Sequence, residues 1–379
     1  MSYYITKNNL KKALVYIEFY FSSYKIFCMN CPHNIYIHVP FCMSKCQYCA
    51  FFSVACDNPD WKKYADGICS ELKFWSDKLG KIKIPTIFFG GGTPSLMPAD
   101  VLERILKCIY DNFDVDKDCE ITLESNPKTL NKVKLADFVS LGMNRLSVGV
   151  QSLNNDELLF LGRKHNVKDA IDLIQNAQNM NLRVSADFIY GLPNQNEQSV
   201  IKLCQDINKI GLEHVSMYEL TIEKNTPFGR QNLKMPDNAT MAKMYNAIPE
   251  NLNLPRYEVS NYAKPGQECR HNQNIWQGCA YIGIGRGGAG RVFMNNRWYE
   301  QMGNNEKFEE ISNETRAVEK IITGLRTILG VRLDEDIKNQ INFDWVNSHN
   351  DLVVMSDEYL KTTSKGMLFL DDIMVDVIK

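Results

Sequence analysis

Cys42, Cys46 and Cys49 stand in a C-x3-C-x2-C pattern inside Tyr36–Ser53, YIHVPFCMSKCQYCAFFS. Three thiolates this close can share one inorganic centre, and their number is informative. A closed structural zinc site takes four ligands, and a four-iron cluster fully ligated by protein takes four cysteines. Three cysteines on four irons leave one iron with an open position for a small molecule, and we read the loop as the ligand set of such an iron–sulfur cluster. A competing reading pairs Cys28-x2-Cys31 with Cys46-x2-Cys49 as two zinc knuckles. The segment would then be a zinc-stabilised interaction module, with no role for Cys42.

Other residues suited to chemistry recur at the ends of short apolar runs. Gly90-Gly91-Gly92-Thr93-Pro94 follows Thr86–Phe89. Glycines there let the backbone approach a ligand and adopt positive φ, and free amides and carbonyls suit the amino-acid end of a nucleotide-like ligand. Glu124-Ser125-Asn126-Pro127 follows the run EITLE, Gln151 follows Arg145–Val150, and Asp187 sits in Arg183–Ile189.

The elements that must position these residues alternate regularly. Ile35–Val39, Thr86–Phe89, Glu120–Glu124, Arg145–Val150, Arg183–Ile189 and His214–Leu220 read as strands, separated by segments with apolar residues at steps of three and four. The first such helix carries Trp61, Tyr64, Ile68, Leu72, Trp75 and Leu79 on one face. Short apolar strands with helical crossovers imply a parallel sheet covered on its faces. About six units suit an α/β fold of the partial (β/α)6 TIM type, whose site gathers at the carboxyl ends of the strands. We expect the barrel over 35–256 and a glycine-rich connecting region over 257–312. A smaller, mostly helical, winged-helix-like domain is expected over 313–379.

Composition adds limits. A net charge of −2 over 379 residues gives no reason to expect nucleic acid or an anionic membrane as partner. Twelve scattered cysteines without a signal-cleavage pattern suggest a cytoplasmic, reducing compartment, with free thiols beside one cluster site. Residues 1–34 form an N-terminal extension. Leu10, Leu14, Ile17 and Phe21 have helical spacing, but Glu18 interrupts the run and no stable membrane span is expected. Met29 is an alternative start.

The C-x3-C-x2-C loop after a first strand, with Tyr48 before the last cysteine and GGGTP at the next strand end, resembles the radical S-adenosylmethionine (SAM) superfamily. Six further stretches narrow the likeness: YIHVPFC at Tyr36–Cys42, GMNRLS at Gly142–Ser147, GVQS at Gly149–Ser152, LGR at Leu161–Arg163, IYGLP at Ile189–Pro193 and CRHN at Cys269–Asn272. They resemble the oxygen-independent coproporphyrinogen III oxidase group, and within it the HemW-like haem-chaperone branch. The resemblance runs from about Ile35 to near the C-terminus.

It implies a [4Fe–4S] cluster on Cys42, Cys46 and Cys49, with SAM on the open iron and one-electron cleavage to a 5′-deoxyadenosyl radical. Tyr36, Gly91, Gly92, Thr93, Glu124, Gln151, Arg163 and Asp187 match positions lining the SAM pocket. Haem as cargo, a haem-accepting apoprotein and an electron donor for the cluster are implied partners. His271 and Trp276, in the sequence HNQNIW, match a candidate haem motif in which a tyrosine stands where this chain has Ile275. The oxidases place a cysteine where this chain has Phe51, which favours haem chaperone over coproporphyrinogen III oxidase. Ala50 and Ala289 stand where an aspartate and a histidine are usual.

Overall fold

The computed structural model describes residues 32–302 and 307–379. The apolar stripe from Leu10 to Phe21 and the pair Cys28 and Cys31 lie outside the described residues.

Among the described residues, sixteen strands follow in chain order. They are β1 Asn34–Val39, β2 Phe41–Cys42, β3 Val54–Ala55, β4 Lys83–Gly91, β5 Asp114–Ser125, β6 Arg145–Gln151, β7 Arg183–Tyr190 and β8 His214–Glu219, then β9 Asn261–Ala263, β10 Tyr281–Ile284, β11 Ala289–Met294, β12 Arg297–Met302, β13 Phe308–Ile311, β14 Val331–Arg332, β15 Val353–Met355 and β16 Tyr359–Thr362. The helices that matter below are α1 Trp61–Leu79, α2 Ala99–Asn112, α3 Lys132–Ser140, α4 Asn155–Phe160, α5 Val167–Gln178, α6 Glu197–Ile210, α7 Asn238–Asn251, α8 Arg270–Trp276 and α9 Asn313–Leu325.

One eleven-stranded sheet dominates, in the order β13-β12-β11-β10-β1-β4-β5-β6-β7-β8-β9. From β10 to β8 every neighbouring pair is parallel. Each of β1, β4, β5, β6, β7 and β8 leads into a helical segment, so six strand–helix units form an open, mixed α/β arc rather than a closed barrel.

Alternation along the strands explains the two faces. Ile35, Ile37, Ile87, Phe89, Ile121, Leu123, Leu146, Val148, Val184, Ala186, Val215 and Met217 are buried in one apolar core together with helix residues such as Leu72, Trp75, Leu102 and Ile105. At about 1.5–3 kcal/mol per large side chain, this burial holds the helices on the sheet. The intervening positions turn to the other face and are largely polar: Asn34, Tyr36 and His38; Thr86; Glu120, Thr122 and Glu124; Arg145 and Ser147; Arg183, Ser185 and Asp187; His214 and Ser216. We expected strands apolar on both faces. The inner face is instead a hydrogen-bonded polar lining: its strand-end part faces the site, while Thr86, Glu120 and Arg183 bond α8 and the segment just before it.

The region 257–312 is not only a connection. It contributes β9 to one sheet edge, β10 beside β1, and the antiparallel run β11–β13. Between them, α8 packs against the inner face of the arc. A second core is built by Ala317, Ile321 and Leu325 of α9 with Val331, Ile337, Ile341, Val353 and Leu360. It includes the small sheet β14-β16-β15.

Cys69 of α1 and Cys108 of α2 are joined in a disulfide, which corrects the expectation of free thiols at those two positions. Both are only half-buried and lie on adjacent helices, with Cα atoms 5.7 Å apart. Among the described residues, no helix is long and apolar enough to cross a membrane.

Candidate functional site

The cysteine loop leaves β1 at Pro40 and is tied down at both ends. Val54 N–H donates to Pro40 O at 2.7 Å, and Cys56 N–H donates to Cys42 O at 3.0 Å. Phe41 packs edge-on against Trp61 and Tyr64 of α1, and the Tyr64 hydroxyl donates to His38 O at 3.0 Å. The first turn of α1 therefore clamps the start of the loop. Cys42, Cys46 and Cys49 are free and half-buried. Among the described residues, no three His, Cys, Asp or Glu side chains close round a single metal ion.

Polar donors converge on these thiols. Thr93 Oγ1 donates to Cys42 Sγ at 3.5 Å, Asn126 Nδ2 donates to Thr93 Oγ1 at 3.0 Å, and Arg163 Nη1 donates to Cys46 Sγ at 3.3 Å. Arg163 Nη2 reaches both Asn126 Oδ1 and Gly149 O. Cys42, Thr93, Asn126, Arg163 and Cys46 thus form one connected chain. Burial works to lower the Arg163 pKa, but Tyr48 and Cys46 outweigh it and hold the guanidinium charged. Burial also pushes the Cys49 thiol up, aided by the neighbouring cysteines and opposed by its hydrogen bond from Phe51 N–H and by Lys45. An open cleft runs along this face, lined in part by Met43, Cys46, Thr93, Asn126 and Arg163.

The glycine turn fits closely against the loop. A Cβ at Gly92 would lie 2.7 Å from Phe41 O and 2.9 Å from Cys42 Sγ, and one at Gly91, whose φ is +110°, would strike the His38 ring. Gly91 N–H donates to Glu124 Oε2 at 3.1 Å. Glu124 is recessed in the mouth of the arc. Loss of hydration pushes its carboxyl up to about 8, assisted by the charge of Asp187 and opposed by the Gly91 N–H and Arg145. Burial raises Asp187 as well, while Ser216, Ser147, Arg145 and Arg163 pull it back. The Ser147 hydroxyl donates to Asp187 Oδ2 at 3.0 Å. Tyr36 OH and His38 Nδ1 are 3.1 Å apart, with His38 Nε2 2.8 Å from Phe52 O.

Gln151 is not glycine yet has φ of +70°, at a register shift between β6 and β7. Such a residue stores local strain of order 1–3 kcal/mol, a cost that concentrates at functional sites. Here the twist brings the Gln151 amide, Arg163 Nη2 and Asn126 Oδ1 together round the Cα of Gly149.

Gly91, Gly92, Thr93, Glu124 and Gln151 therefore gather with the cysteine loop at the carboxyl ends of successive strands, Tyr36 and Asp187 lie within β1 and β7 on the same face, and Arg163 reaches in from the segment after α4. Asn126, Ser147 and Arg145 connect this set; their motifs stand out in the sequence, but nothing there assigns them an individual role. Asn126 was findable, two residues beyond Glu124. Arg145 and Ser147 become legible once β6 is read with a period of two.

His271 and Trp276 lie elsewhere. His271 is 2% exposed. Its Nδ1 is 2.7 Å from Thr86 Oγ1, and its ring packs 5.0 Å from Phe88, which in turn lies 6.1 Å from Tyr36. Phe88 thus separates His271 from the strand-end set. Burial lowers the His271 pKa to about 4, against the pull of Glu120. Glu120 is wholly buried and gathers the start of α8: it accepts from His271 N–H at 3.0 Å, Arg270 N–H at 3.1 Å and Arg183 Nη1 at 2.8 Å. Trp276 ends α8 beside α9, its carbonyl accepting from the Thr323 hydroxyl at 2.9 Å.

Residues 36–207 match the Radical SAM superfamily. The chain is 31% identical over 378 residues to the heme chaperone HemW of Escherichia coli, covering 90% of this chain and 97% of that protein. It is 31% identical over 381 residues to the heme chaperone HemW of Haemophilus influenzae, with the same coverage of 90% and 97%. Among solved structures it resembles the coproporphyrinogen III oxidase HemN from Escherichia coli, described as a radical SAM enzyme. The TM-score is 0.76 at 18% identity, over 98% of this chain and 93% of that one, a likeness of fold.

Proposed function

Because the chain belongs to the radical SAM superfamily and, within it, to the HemW family, we propose that it binds haem and delivers it to an acceptor protein, on a scaffold that holds a [4Fe–4S] cluster and SAM. The observation that carries this reading is full-length likeness to proteins named as haem chaperones, at 31% identity over 97% of their length.

The residues present fit the cluster. Cys42, Cys46 and Cys49 would hold it, and their sulfurs already receive hydrogen bonds from Thr93 and Arg163. Bound there, the cluster supplies a single electron for reductive cleavage of the SAM sulfonium. The chain's own residues do the rest. Glu124 and Asp187 offer carboxyl oxygens for the ligand's amino group and ribose hydroxyls. Arg163 holds a charge beside Cys46, and Gly91 and Gly92 let the backbone approach. Tyr36 and Gln151 complete the walls. Supply of the electron requires a donor, which we place among the partners together with haem and its acceptor.

The alternative activity is oxidative decarboxylation of coproporphyrinogen III. One anaerobic experiment separates the two. With a chemical reductant and SAM, the reconstituted protein is expected to leave coproporphyrinogen III unchanged. In a parallel titration it binds haem with a saturable spectral change and passes it to an apo-haem protein. Formation of protoporphyrinogen IX would overturn the chaperone reading.

A further inference from the structure

The face of the cysteine loop that turns to solvent is unusually apolar. Phe51 is 70% exposed, Val54 51% and Phe52 42%. Large contiguous exposed apolar patches mark recognition surfaces, whereas exposed apolar residues scattered singly do not, and these three lie within four positions of one another. The strand-ward side of this segment is fixed: Phe52 O is 2.8 Å from His38 Nε2, and Val54 pairs with Phe41. The turn between β10 and β11 closes over Phe52 from the other side. Gly287, with φ of +98°, comes so near that a Cβ there would lie 2.7 Å from Phe52 Cδ1. Arg286, exposed in the same turn, holds its guanidinium 5.2 Å from the centre of the Phe52 ring and forms no ion pair among the described residues. Lys45, also exposed, adds a second positive charge to the loop.

Exposed aromatic rings with a guanidinium that has no carboxylate partner among the described residues, and a lysine in the same loop, match the chemistry of a planar apolar macrocycle carrying carboxylates. The candidate haem motif offers no such face, since His271 is 2% exposed behind Phe88. We propose that the haem cargo docks on the surface formed by Phe51, Phe52 and Arg286. Its ring lies against the phenylalanines and its carboxylates face Arg286 and Lys45. This inference rests on the haem-binding reading above, and the test separates the two.

The probe is iron protoporphyrin IX, titrated by absorbance into the full chain carrying its cluster, under argon. The Phe51→Ser/Phe52→Ser double variant is expected to bind at least about tenfold more weakly, the scale of losing two aromatic contacts. Arg286→Glu is expected to bind about fivefold more weakly, and to bind the porphyrin dimethyl ester, which lacks the carboxylates, as the wild type does. Phe369→Ser, which removes a 42% exposed aromatic from the C-terminal region, serves as control and leaves affinity unchanged. Wild-type protein that does not bind haem overturns the chaperone reading and the docking surface together. Wild-type binding with unchanged affinity in the Phe51/Phe52 and Arg286 variants overturns the docking surface alone, as does a loss confined to His271→Ala. Variants that keep haem affinity but slow reduction of the cluster by an acidic electron-transfer protein also overturn it, and assign the surface to that protein.

Discussion

Arg163 donates from Nη1 to the Sγ of Cys46 at 3.3 Å, although 117 positions separate them in sequence. The same guanidinium bonds Gly149 O at 2.8 Å, so one side chain ties the cysteine loop to the end of β6. A cation and a hydrogen-bond donor at a thiolate both favour an added electron on the metal centre. Arg163→Leu is therefore expected to shift the potential of the bound cluster to more negative values. A charged hydrogen bond of ~1.5–3 kcal/mol puts the shift at roughly 65–130 mV. Arg163→Lys should recover part of it. Anaerobic redox titration followed by electron spin resonance gives the answer, and an unshifted potential in Arg163→Leu would count against a direct interaction.

The three cysteines are half-buried, and their loop stands outside the apolar core of the arc. Cys42→Ser, Cys46→Ser and Cys49→Ser should each abolish iron and acid-labile sulfide after anaerobic reconstitution. Circular dichroism of the arc should be unaltered. Full iron content in any one of them would remove that cysteine from the ligand set. One zinc without sulfide in the wild type would restore the knuckle reading.

Glu124 offers a pH test. Its carboxyl sits near 8 in the folded chain, above the ordinary 4.5, chiefly through burial. Between those values the folded protein retains a proton that the unfolded chain has released, so stability falls as pH rises through that window. Glu124→Gln mimics the protonated acid and removes the dependence. Its melting temperature should match the wild type near pH 5 and exceed it at pH 8.5. The gap is at most about 5 kcal/mol at ~1.4 kcal/mol per pH unit, before solvent screening reduces it. A constant gap across pH would show that Glu124 titrates normally.

Much of this arrangement was legible in the residues. Apolar runs ending in GGGTP, ESNP or GVQS mark a parallel strand and its carboxyl end together, and those ends are where the site assembles. What escaped was the inner face. Glu120, Arg145 and Arg183 sit within strands read as simply apolar, yet all three meet on one face because side chains alternate along a strand. Their partners are distant in sequence: Glu120 binds the backbone of Arg270 and His271 some 150 residues away. No local pattern signals such a pairing. The strands β10–β13 were missed for a related reason. Gly283, Gly285, Gly287, Gly288 and Gly290 read as loop composition, but Gly283 and Gly290 lie within strands, packed so closely that an added Cβ would meet neighbouring backbone.

That buried carboxylate makes its own prediction. Glu120 is wholly enclosed, and Arg145 and Arg183, with the N–H groups of His271 and Arg270, overcome its burial and hold it ionised. Removing one partner of a buried charge cluster leaves the others uncompensated, at about 3–5 kcal/mol. Glu120→Ala should lose that much in denaturant unfolding and should release α8, seen as faster hydrogen exchange at His271 and Arg270. Glu120→Gln, which keeps acceptors but not charge, should lose less. Wild-type stability in Glu120→Ala would contradict the network.

The Cys69–Cys108 bond spans 39 positions and joins α1, which clamps the cysteine loop through Trp61 and Tyr64, to α2. Closing a loop of that length restricts the unfolded chain by about 4 kcal/mol on the chain-entropy estimate. Neither cysteine belongs to the cluster ligand set, so the bond and the cluster can be varied separately. The Cys69→Ser/Cys108→Ser variant should melt several degrees lower than the oxidised wild type. Under a thiol reductant strong enough to open the bond, the two should coincide. Its iron and sulfide content should equal that of the wild type. Alkylation before and after reduction, read by mass spectrometry, should release these two thiols as a pair. If both are already free in protein purified under non-reducing conditions, the melting difference should vanish as well.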